Sequence, residues 1–234
     1  MIDLYYAPTP NGWKAAIMLE ECGLKYRTTL MNLAEGDQFD PGFLEINPNA
    51  KIPAIVDHGT DGGPVPVFES GAILLYLAEK TGRFGWKEPK PDKEMYEWLF
   101  WQAANLGPLA GQLSHFVNYA TETTEYVLSR YRGEYERCLA VLESRLVDRE
   151  YILDDYTIAD IMAFPWAFIA KNLGIDLADF PSVADWRGRI KQRPAVQKAI
   201  DLHKDAQLTG TANADNAPGL FRQTARQFKP ENRG

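Results

Sequence analysis

The stretch NPNAKIPAIVD at residues 47–57 decides how the first third of the chain folds. It sets Pro53 directly before a short apolar, β-branched run, and a proline in that place opens a strand rather than interrupting one. The turn-rich HGTDGG at 58–63 follows, and VPVF at 65–68 predicts a second strand that returns alongside the first. Ser70 can then cap a helix. This part of the sequence predicts a β-hairpin followed by a helix.

Upstream of that stretch, the sequence predicts two alternations of strand and helix. Residues 2–6 are β-prone, 13–22 have helical spacing, 25–31 alternate as a strand does, and 37–46 predict a loop with a short helix. The order over residues 1–82 is therefore β-α-β-α-β-β-α. Interleaved strands and helices imply a sheet with helices on its faces. This order, with a proline before the third strand, is typical of the thioredoxin-like fold.

After residue 82 the character of the sequence changes. Residues 83–92 contain a glycine and two prolines and predict a linker. Residues 93–206 show helical spacing and few strand signals. Residues 207–234 are polar, and we expect this tail to lie on the surface or to cross onto the other domain. The predicted fold class is an α/β thioredoxin-like N-terminal domain plus an all-α helical C-terminal domain.

The composition argues against several classes of partner. Of the 234 residues, 45% are apolar, and 25 basic against 32 acidic residues give a net charge of −7. The apolar content indicates a folded protein. The acidic balance argues against nucleic acid and anionic membrane surfaces as partners, and no apolar run approaches the length of a membrane span. Two cysteines without a CxxC pair fit a reducing compartment, so we expect a cytoplasmic protein.

Three strings, spread over both predicted domains, resemble one enzyme family. NPNAKIPA at 47–54, FESGAILLYL at 68–77 and the capping box TIAD at 157–160 stand in the order and spacing found in the cytosolic glutathione transferases. The resemblance implies the fold of that family, glutathione as a co-substrate without a metal, and a two-fold homodimer.

Further strings resemble one class of that family. YYAPTPNG at 5–12, WLFWQ at 98–102 and GPLAGQ at 107–112 are similar to the bacterial Nu class, relatives of the yeast prion-related nitrogen regulator. Members of that class reduce disulfides with glutathione and are usually poor at conjugation. The resemblance therefore implies a glutathione-dependent disulfide reductase that acts on a disulfide or another electrophilic small molecule.

No cysteine stands where thiol chemistry would take place. The first helix of a glutaredoxin opens with a cysteine, whereas the corresponding stretch here is Pro-Thr-Pro-Asn at 8–11, and Cys22 lies about three turns farther along. A reactive sulfur must therefore come from the ligand, and the resemblance implies glutathione. We predict that the Thr9 hydroxyl and the Asn11 amide, at the N-terminus of a helix, are the donors that stabilise its thiolate.

The resemblance also assigns residues to the glutathione backbone. Pro53 matches the family's cis-proline, which turns the Ile52 backbone towards a peptide ligand as an added strand would pair. Ser70 and the first free amides of its helix would bind the γ-glutamyl carboxylate. Glu69 would accept a hydrogen bond from the ligand's α-ammonium group.

Four further side chains are predicted from their place in the family pattern. Lys51 and Gln38 would meet the glycyl carboxylate. Arg130 matches an arginine that the Nu class brings to the site from the helical domain, although Arg132 could be confused with it. Gln102 would contact glutathione across the dimer interface.

Tyrosine and histidine carry weaker expectations. Tyr5 and Tyr6 are not expected to activate the thiol, because alternation along a strand places at least one of them in the core. His115 could line the open site for the second substrate. No spacing of metal ligands accompanies it, so we expect no metal.

Three functions remain open at this point. The leading one is disulfide reduction with activated glutathione. The second keeps glutathione but cleaves an aromatic thioether or ether, because the N-terminal domain does not distinguish these electrophiles. The third is a non-enzymatic, glutathione-binding regulatory module, against which the retained Thr9, Asn11, Glu69 and Ser70 argue.

Overall fold

The structure is a computed structural model that describes residues 1–86, 93–206, 217–221 and 223–228. Most of the predicted linker and much of the predicted tail lie outside these described residues. In the part of the chain that the structure describes, no helix combines the length and the apolar character that crossing a membrane requires.

The N-terminal domain is built on a sheet whose strands are β1 (Ile2–Tyr6), β2 (Tyr26–Leu30), β3 (Ala54–Asp57) and β4 (Val65–Phe68). Their order across the sheet is β2-β1-β3-β4. Strand β1 runs parallel to β2 and antiparallel to β3, and β3 pairs with β4 as an antiparallel hairpin. The four predicted strands and the thioredoxin-like fold are confirmed.

The first helix, α1 (Pro10–Cys22), begins three residues earlier than the predicted 13–22. Thr9 is its N-cap, and the Thr9 hydroxyl accepts a hydrogen bond of 3.2 Å from the amide of Gly12. Pro10 fits the first turn because its missing N–H would have no partner there. The helix ends at Gly23, which adopts a left-handed conformation with φ of 65°. Capping chemistry, rather than apolar spacing, sets where α1 begins.

Two further helices complete this domain, α2 (Pro41–Ile46) and α3 (Ser70–Thr81). The predicted cap of α3 is wrong, because Glu69 is the N-cap residue and Ser70 is already helical. Glu69 takes a φ of 68° where β4 turns into the helix, and its side chain makes no capping hydrogen bond to the first turn. The N-terminal amides of α3 are therefore left available to a ligand.

The rest of the described chain is helical, as predicted. A π-helical turn, Gln102–Leu106, separates the first two of these helices. The helices are α4 (Lys93–Trp101), α5 (Gly107–Asn118), α6 (Glu125–Leu146), α7 (Ile158–Phe168), α8 (Pro181–Lys191), α9 (Pro194–Asp201) and α10 (Pro218–Phe221).

The two domains share one continuous core. Helix α1 packs against α3 on its own side and against α7 and α9 of the helical domain. Helix α7 is buried along most of its length, and the predicted capping box at its start is present. The Asp160 carboxylate accepts hydrogen bonds from the amides of Thr157 and Ile152 and from the indole of Trp186. Because α1 and α7 pack against each other, the cleft between the domains opens where the N-terminal end of α1 meets the C-terminal half of α7.

Candidate active site

Two adjoining cavities lie between the domains. We call the first the Thr9 cavity; its volume is about 300 Å³. We call the second the Ser70 cavity; its volume is about 410 Å³. Five residues line both cavities: Asn11, Lys51, Ile52, Gly111 and Trp166. A ligand bound across this shared wall would extend from the start of α1 to the start of α3.

Thr9 and Asn11 lie together at the start of α1, on the wall of the Thr9 cavity. The Thr9 oxygen accepts from Gly12, so the hydroxyl hydrogen can still be donated to a ligand. The Oδ1 atom of Asn11 accepts a hydrogen bond of 3.0 Å from the indole Nε1 of Trp166. An indole N–H only donates, so the Asn11 oxygen must face it and the Nδ2 donor is turned to other partners. The predicted pair of donors is thus brought together.

Trp166 is a site residue that the sequence analysis missed. It lies within the apolar helix α7 and is 7% exposed, so the sequence shows it as an ordinary core aromatic. Its function becomes visible only through its contact with Asn11, which lies 155 residues earlier in the chain.

The loop before β3 is shaped by Asn47 and by a cis peptide bond between Ile52 and Pro53. The Asn47 amide donates a hydrogen bond of 2.6 Å to the Lys51 carbonyl and accepts one from the amide of Asn49. Asn47 is buried, so these hydrogen bonds are shielded from water. The Ile52 backbone is presented at the wall that both cavities share.

Glu69 and Ser70 line the Ser70 cavity at the start of α3. The Glu69 carboxylate lies 3.4 Å from the Asn49 amide nitrogen. The Ser70 hydroxyl is in contact with the Met162 sulfur at 3.7 Å, which is a weak acceptor. An acidic side chain and the positive end of a helix dipole thus stand next to each other.

Lys14 is the second residue that the sequence analysis missed. It projects from α1 into the same wall, is 2% exposed, and donates to Gln102 Oε1 at 3.1 Å and to Ser70 Oγ at 3.4 Å. Burial lowers the pKa of the Lys14 ammonium to about 7, and the nearby Glu69 carboxylate opposes that shift. The signal in the sequence is its spacing of three from Asn11, which places both on one face of α1.

Gln102 reaches the Ser70 cavity within its own chain, so no second subunit is needed to bring it there. The sequence analysis expected it to arrive across a dimer interface. It is fully buried at the first position of the π-helical turn, which is a local widening often found at functional sites. Its Nε2 atom is buried without a hydrogen-bond partner among the described residues.

Gln38 and Lys51 lie on the Thr9 cavity, and the C-terminal segment contacts both. Gln38 Nε2 donates to the Gly219 carbonyl at 2.7 Å, and Lys51 Nζ donates to Gln223 Oε1 at 2.7 Å. Burial lowers the pKa of Lys51. The described residues of the tail therefore cross onto the N-terminal domain and form part of the cavity.

Neither predicted arginine lies at the cleft. Arg130 is exposed on α6 and pairs with Glu134, one turn farther along, at 3.1 Å. Arg132 lies beside Gly174, and its buried Nε has no partner among the described residues. Both residues are absent from the walls of the two cavities.

The tyrosines behave as expected. Tyr6 is fully buried, donates its hydroxyl to the Leu202 carbonyl at 3.3 Å, and has its pKa raised by burial. A phenol held neutral in the core cannot activate a thiol in the cleft.

His115 does line the Thr9 cavity, where its ring lies 5.5 Å from the Phe221 ring, measured between centroids. Within the described ranges, no cluster of His, Cys, Asp or Glu is arranged to hold a metal.

Comparison with known proteins supplies the family. Residues 9–80 match the family model for the glutathione S-transferase N-terminal domain, and residues 125–189 match that for the C-terminal domain. The chain is 49% identical over 203 residues to the disulfide-bond oxidoreductase YfcG of Escherichia coli strain K12, covering 86% of this chain and 94% of that one.

Two solved structures show the same architecture. A glutathione transferase family member from Pseudomonas fluorescens, with two glutathione bound, gives a TM-score of 0.80 at 40% identity, covering 86% of this chain and 92% of that one. A glutathione transferase from Pseudomonas putida, with one glutathione disulfide bound per subunit, gives a TM-score of 0.79 at 37% identity. The match covers 86% of this chain and 91% of that one. Fold, family models and sequence identity agree, and the chain belongs to the glutathione S-transferase family.

Proposed function

We propose that this protein is a glutathione-dependent disulfide reductase of the Nu class. The observation that carries the proposal is the pairing of Thr9 and Asn11 as donors on a cavity wall that contains no cysteine among its described residues. Cys22 and Cys138 lie elsewhere, and burial raises the pKa of both thiols. The reactive sulfur is therefore supplied by glutathione, and the protein stabilises its anion.

The proposed reaction consists of two thiol–disulfide exchanges. A glutathione thiolate attacks one sulfur of the substrate disulfide, forms a mixed disulfide and expels a thiolate that takes up a proton. A second glutathione thiolate attacks the glutathione sulfur of the mixed disulfide, which yields glutathione disulfide and the second product thiol. Charge-assisted hydrogen bonds from Thr9 and Asn11 are each worth about 1.5–3 kcal/mol. One or two of them lower the thiol pKa to near neutrality, at about 1.36 kcal/mol per pKa unit.

We assign the remaining predicted residues to the glutathione backbone. The Ile52 backbone, presented after the bend before Pro53, pairs with the peptide. Ser70 and the open amides of α3 receive the γ-glutamyl carboxylate, and Glu69 receives the α-ammonium. Their common location in the Ser70 cavity supports this assignment.

Lys51 and Gln38 take the glycyl carboxylate in this proposal. Their donors contact Gln223 and Gly219, so the C-terminal segment and the ligand share these two residues. Gln102 acts from within its own subunit. The assignment of Arg130 stays a prediction, since its side chain pairs with Glu134 outside the cleft.

The relatives support both the reaction and its stoichiometry. One relative is named a disulfide-bond oxidoreductase, and the solved relatives hold two glutathione molecules or one glutathione disulfide. The two adjoining cavities provide space for two tripeptides or for one disulfide that spans the shared wall.

The test compares two reactions of the same enzyme with glutathione. Reduction of hydroxyethyl disulfide should far exceed conjugation of chlorodinitrobenzene, because donors at the start of α1 stabilise a thiolate, and exchange with a disulfide needs no further activation of the electrophile. Equal rates, or faster conjugation, would contradict the proposal. A panel of aromatic thioethers and ethers, run with the same enzyme, tests the alternative electrophiles.

We further propose a homodimer and a cytoplasmic location. Phe100 on α4 is 70% exposed, and burying this large apolar side chain against a second copy of the chain would favour an assembly. A reducing compartment supplies the reduced glutathione that the reaction consumes. We keep 1–82 and 93–206 as the domain boundaries, because α3 ends at Thr81 and α4 begins at Lys93.

A further inference from the structure

The ammonium group of Lys14 is buried without a counter-ion. Its hydrogen-bond partners, Gln102 Oε1 and Ser70 Oγ, are both neutral oxygens. Among the described residues, no salt bridge joins Lys14 to a carboxylate. A buried charge with only neutral partners is costly, and such charges in proteins are otherwise paired. Glu69 acts on this ammonium group from the same cavity, but among the described residues no anion is in direct contact with it.

The same wall presents further donors that point to where an anion would bind. Gln102 Nε2 is buried and has no hydrogen-bond partner among the described residues, and Gln102 lines the Ser70 cavity together with Lys14 and Ser70. The first amides of the twelve-residue helix α3 open into that cavity, since the N-cap side chain makes no capping hydrogen bond to them. Three elements of the fold thus converge on one cavity with hydrogen-bond donors.

Lys14 also decides how its two neighbours are oriented. Because the ammonium only donates, it holds the Oε1 atom of Gln102 and leaves the Nε2 atom to donate to another acceptor. The ammonium also donates to a lone pair of the Ser70 oxygen, so the hydroxyl hydrogen of Ser70 points away from Lys14. That hydrogen is donated to Met162 Sδ, a weak acceptor. A carboxylate in the cavity is a stronger acceptor for that hydrogen than a thioether.

We propose that Lys14 is a positioning residue for the γ-glutamyl α-carboxylate of glutathione: it orients the Ser70 hydroxyl and the Gln102 amide towards that carboxylate, whose charge supplies its missing counter-ion. The inference rests on the proposed function, because it takes glutathione as the ligand of the Ser70 cavity. It adds a residue and a charge interaction that the family resemblance did not contain.

Binding should then be linked to proton uptake. Burial lowers the pKa of Lys14 to about 7, and Glu69 is the charged group that acts on it, from the start of α3. The residues that the π-helical turn and α7 place in the same cavity as Lys14 are Gln102 and Met162, and both are uncharged. The ion pairs between α1 and α9, Glu21–Arg193 and Glu20–Lys198, lie almost two turns farther along α1.

The sign of the linkage follows from the two states of the site. In the empty protein near neutral pH, a substantial fraction of Lys14 is uncharged. An arriving carboxylate favours the ammonium form and raises the pKa of Lys14. Each molecule bound therefore takes up a fraction of a proton, and affinity falls as pH rises above 7.

The test uses calorimetry with S-methylglutathione, whose blocked thiol cannot contribute a proton of its own. A second ligand, S-methyl-(4-aminobutyryl)cysteinylglycine, lacks only the α-carboxylate. Lys14→Met should lower the affinity for S-methylglutathione tenfold or more at pH 7. It should lower the affinity for the decarboxylated ligand less than threefold. Lys25→Met removes the same charge at an exposed position and should change neither affinity.

Titrations in two buffers of different ionisation enthalpy measure the proton directly. The wild-type protein should take up a fraction of a proton with S-methylglutathione at pH 7.5, and none with the decarboxylated ligand or in Lys14→Met. If Lys14→Met lowered the affinity for both ligands equally, or left proton uptake unchanged, Lys14 would be merely a core residue. Lys14→Gln retains a donor without the charge and replaces Lys14→Met if that variant fails to fold. Failure of the wild-type protein to bind S-methylglutathione at all would overturn the proposed function instead.

Discussion

At the scale of single residues, the site is made of side chains that each serve the fold and the ligand together. Thr9 caps α1 with its oxygen and retains a hydroxyl hydrogen for the thiolate. Asn11 is held by its oxygen to Trp166 and retains its amide hydrogens. Because one atom of each side chain is fixed by the protein, the remaining donor is oriented before the ligand arrives, and less entropy is lost on binding.

The double role of Thr9 can be separated by substitution. Thr9→Ala removes cap and donor together, so we expect about 1 kcal/mol of lost stability and a ten- to hundredfold loss of reductase kcat/KM, from the energy of about 1.5–3 kcal/mol per charge-assisted hydrogen bond. Thr9→Asp can still cap the helix but places a negative charge beside the thiolate. It should keep its stability in urea unfolding and lose at least as much activity.

Thr9→Ser is the matched control, because it retains both the acceptor and the donor and should stay close to wild type in both measurements. Full activity in Thr9→Asp would show that Thr9 acts only as a cap.

The residues at the cleft differ in how far the sequence could predict them. Thr9, Asn11, Glu69 and Ser70 stand at the ends of elements, where capping and turn rules place them locally, and the family resemblance predicted their roles. Lys14 and Trp166 stand inside helices, where a lysine is typical of a solvated face and a tryptophan of the core. Their roles arise from partners 88 and 155 residues away, Gln102 and Asn11.

At the scale of elements, the starts of helices position the chemistry. α1 begins at a Thr-Pro cap, and α3 begins after Glu69 at a positive φ that leaves its amides open. α7 begins with a capping box whose carboxylate also bonds the segment at Ile152 and the indole of Trp186. The start of α3, which its N-cap side chain leaves uncapped, faces the cleft with free donors, whereas the capping box at the start of α7 is buried in the core.

The capping box of α7 should be the most sensitive polar position in the helical domain. Asp160→Asn turns a fully buried acceptor of three N–H groups into a side chain with one acceptor atom, so at least one buried donor loses its partner. Each such loss costs about 1–3 kcal/mol, and we expect a destabilisation in that range or above it by urea unfolding.

Asp154→Asn is the control for that measurement, because Asp154 is exposed and, within the described part of the chain, forms a surface ion pair with Arg149. It should change stability by less than about 0.5 kcal/mol. A similar effect of both substitutions would contradict a special role of the capping box.

At the scale of the whole molecule, the cleft exists because three parts of the chain meet. The sheet domain supplies α1 and the loop before β3, the helical domain supplies Trp166 and Gln102, and the C-terminal segment supplies Phe221 and Gln223. Phe221 packs on His115 of α5 and on Tyr119, the residue that follows α5, while Gly219 lies against the chain at Leu33 and Gly36. The tail thus connects both domains over the Thr9 cavity.

The proposed homodimer makes a prediction at this scale. Phe100→Glu places a charge on the exposed aromatic of α4, and burying that charge in an interface would be costly. Light scattering should give twice the chain mass of 26.4 kDa for the wild-type protein and a single chain mass for the variant. Val147→Glu, at an apolar position that is 54% exposed after α6, should remain dimeric. A monomeric wild-type protein would contradict the proposal.

By itself, the sequence determined the four strands, the helical second half and the two turns that carry Thr9, Asn11, Glu69 and Ser70, although it set the start of α1 three residues too late. These features depend on alternation, on proline and glycine, and on capping groups within a few residues, so they can be read locally. It could not locate the start of α3 within one residue, because the positive φ of Glu69 comes from how the hairpin meets the helix.

The tertiary structure alone decided which long-range partners complete the site. It buried Lys14 against Ser70 and Gln102, set Trp166 on Asn11, brought the tail onto Gln38 and Lys51, and left Arg130 outside. The physical reason is that burial and hydrogen bonding between distant residues depend on the packing of α1 between two domains. No local pattern of residues encodes that packing.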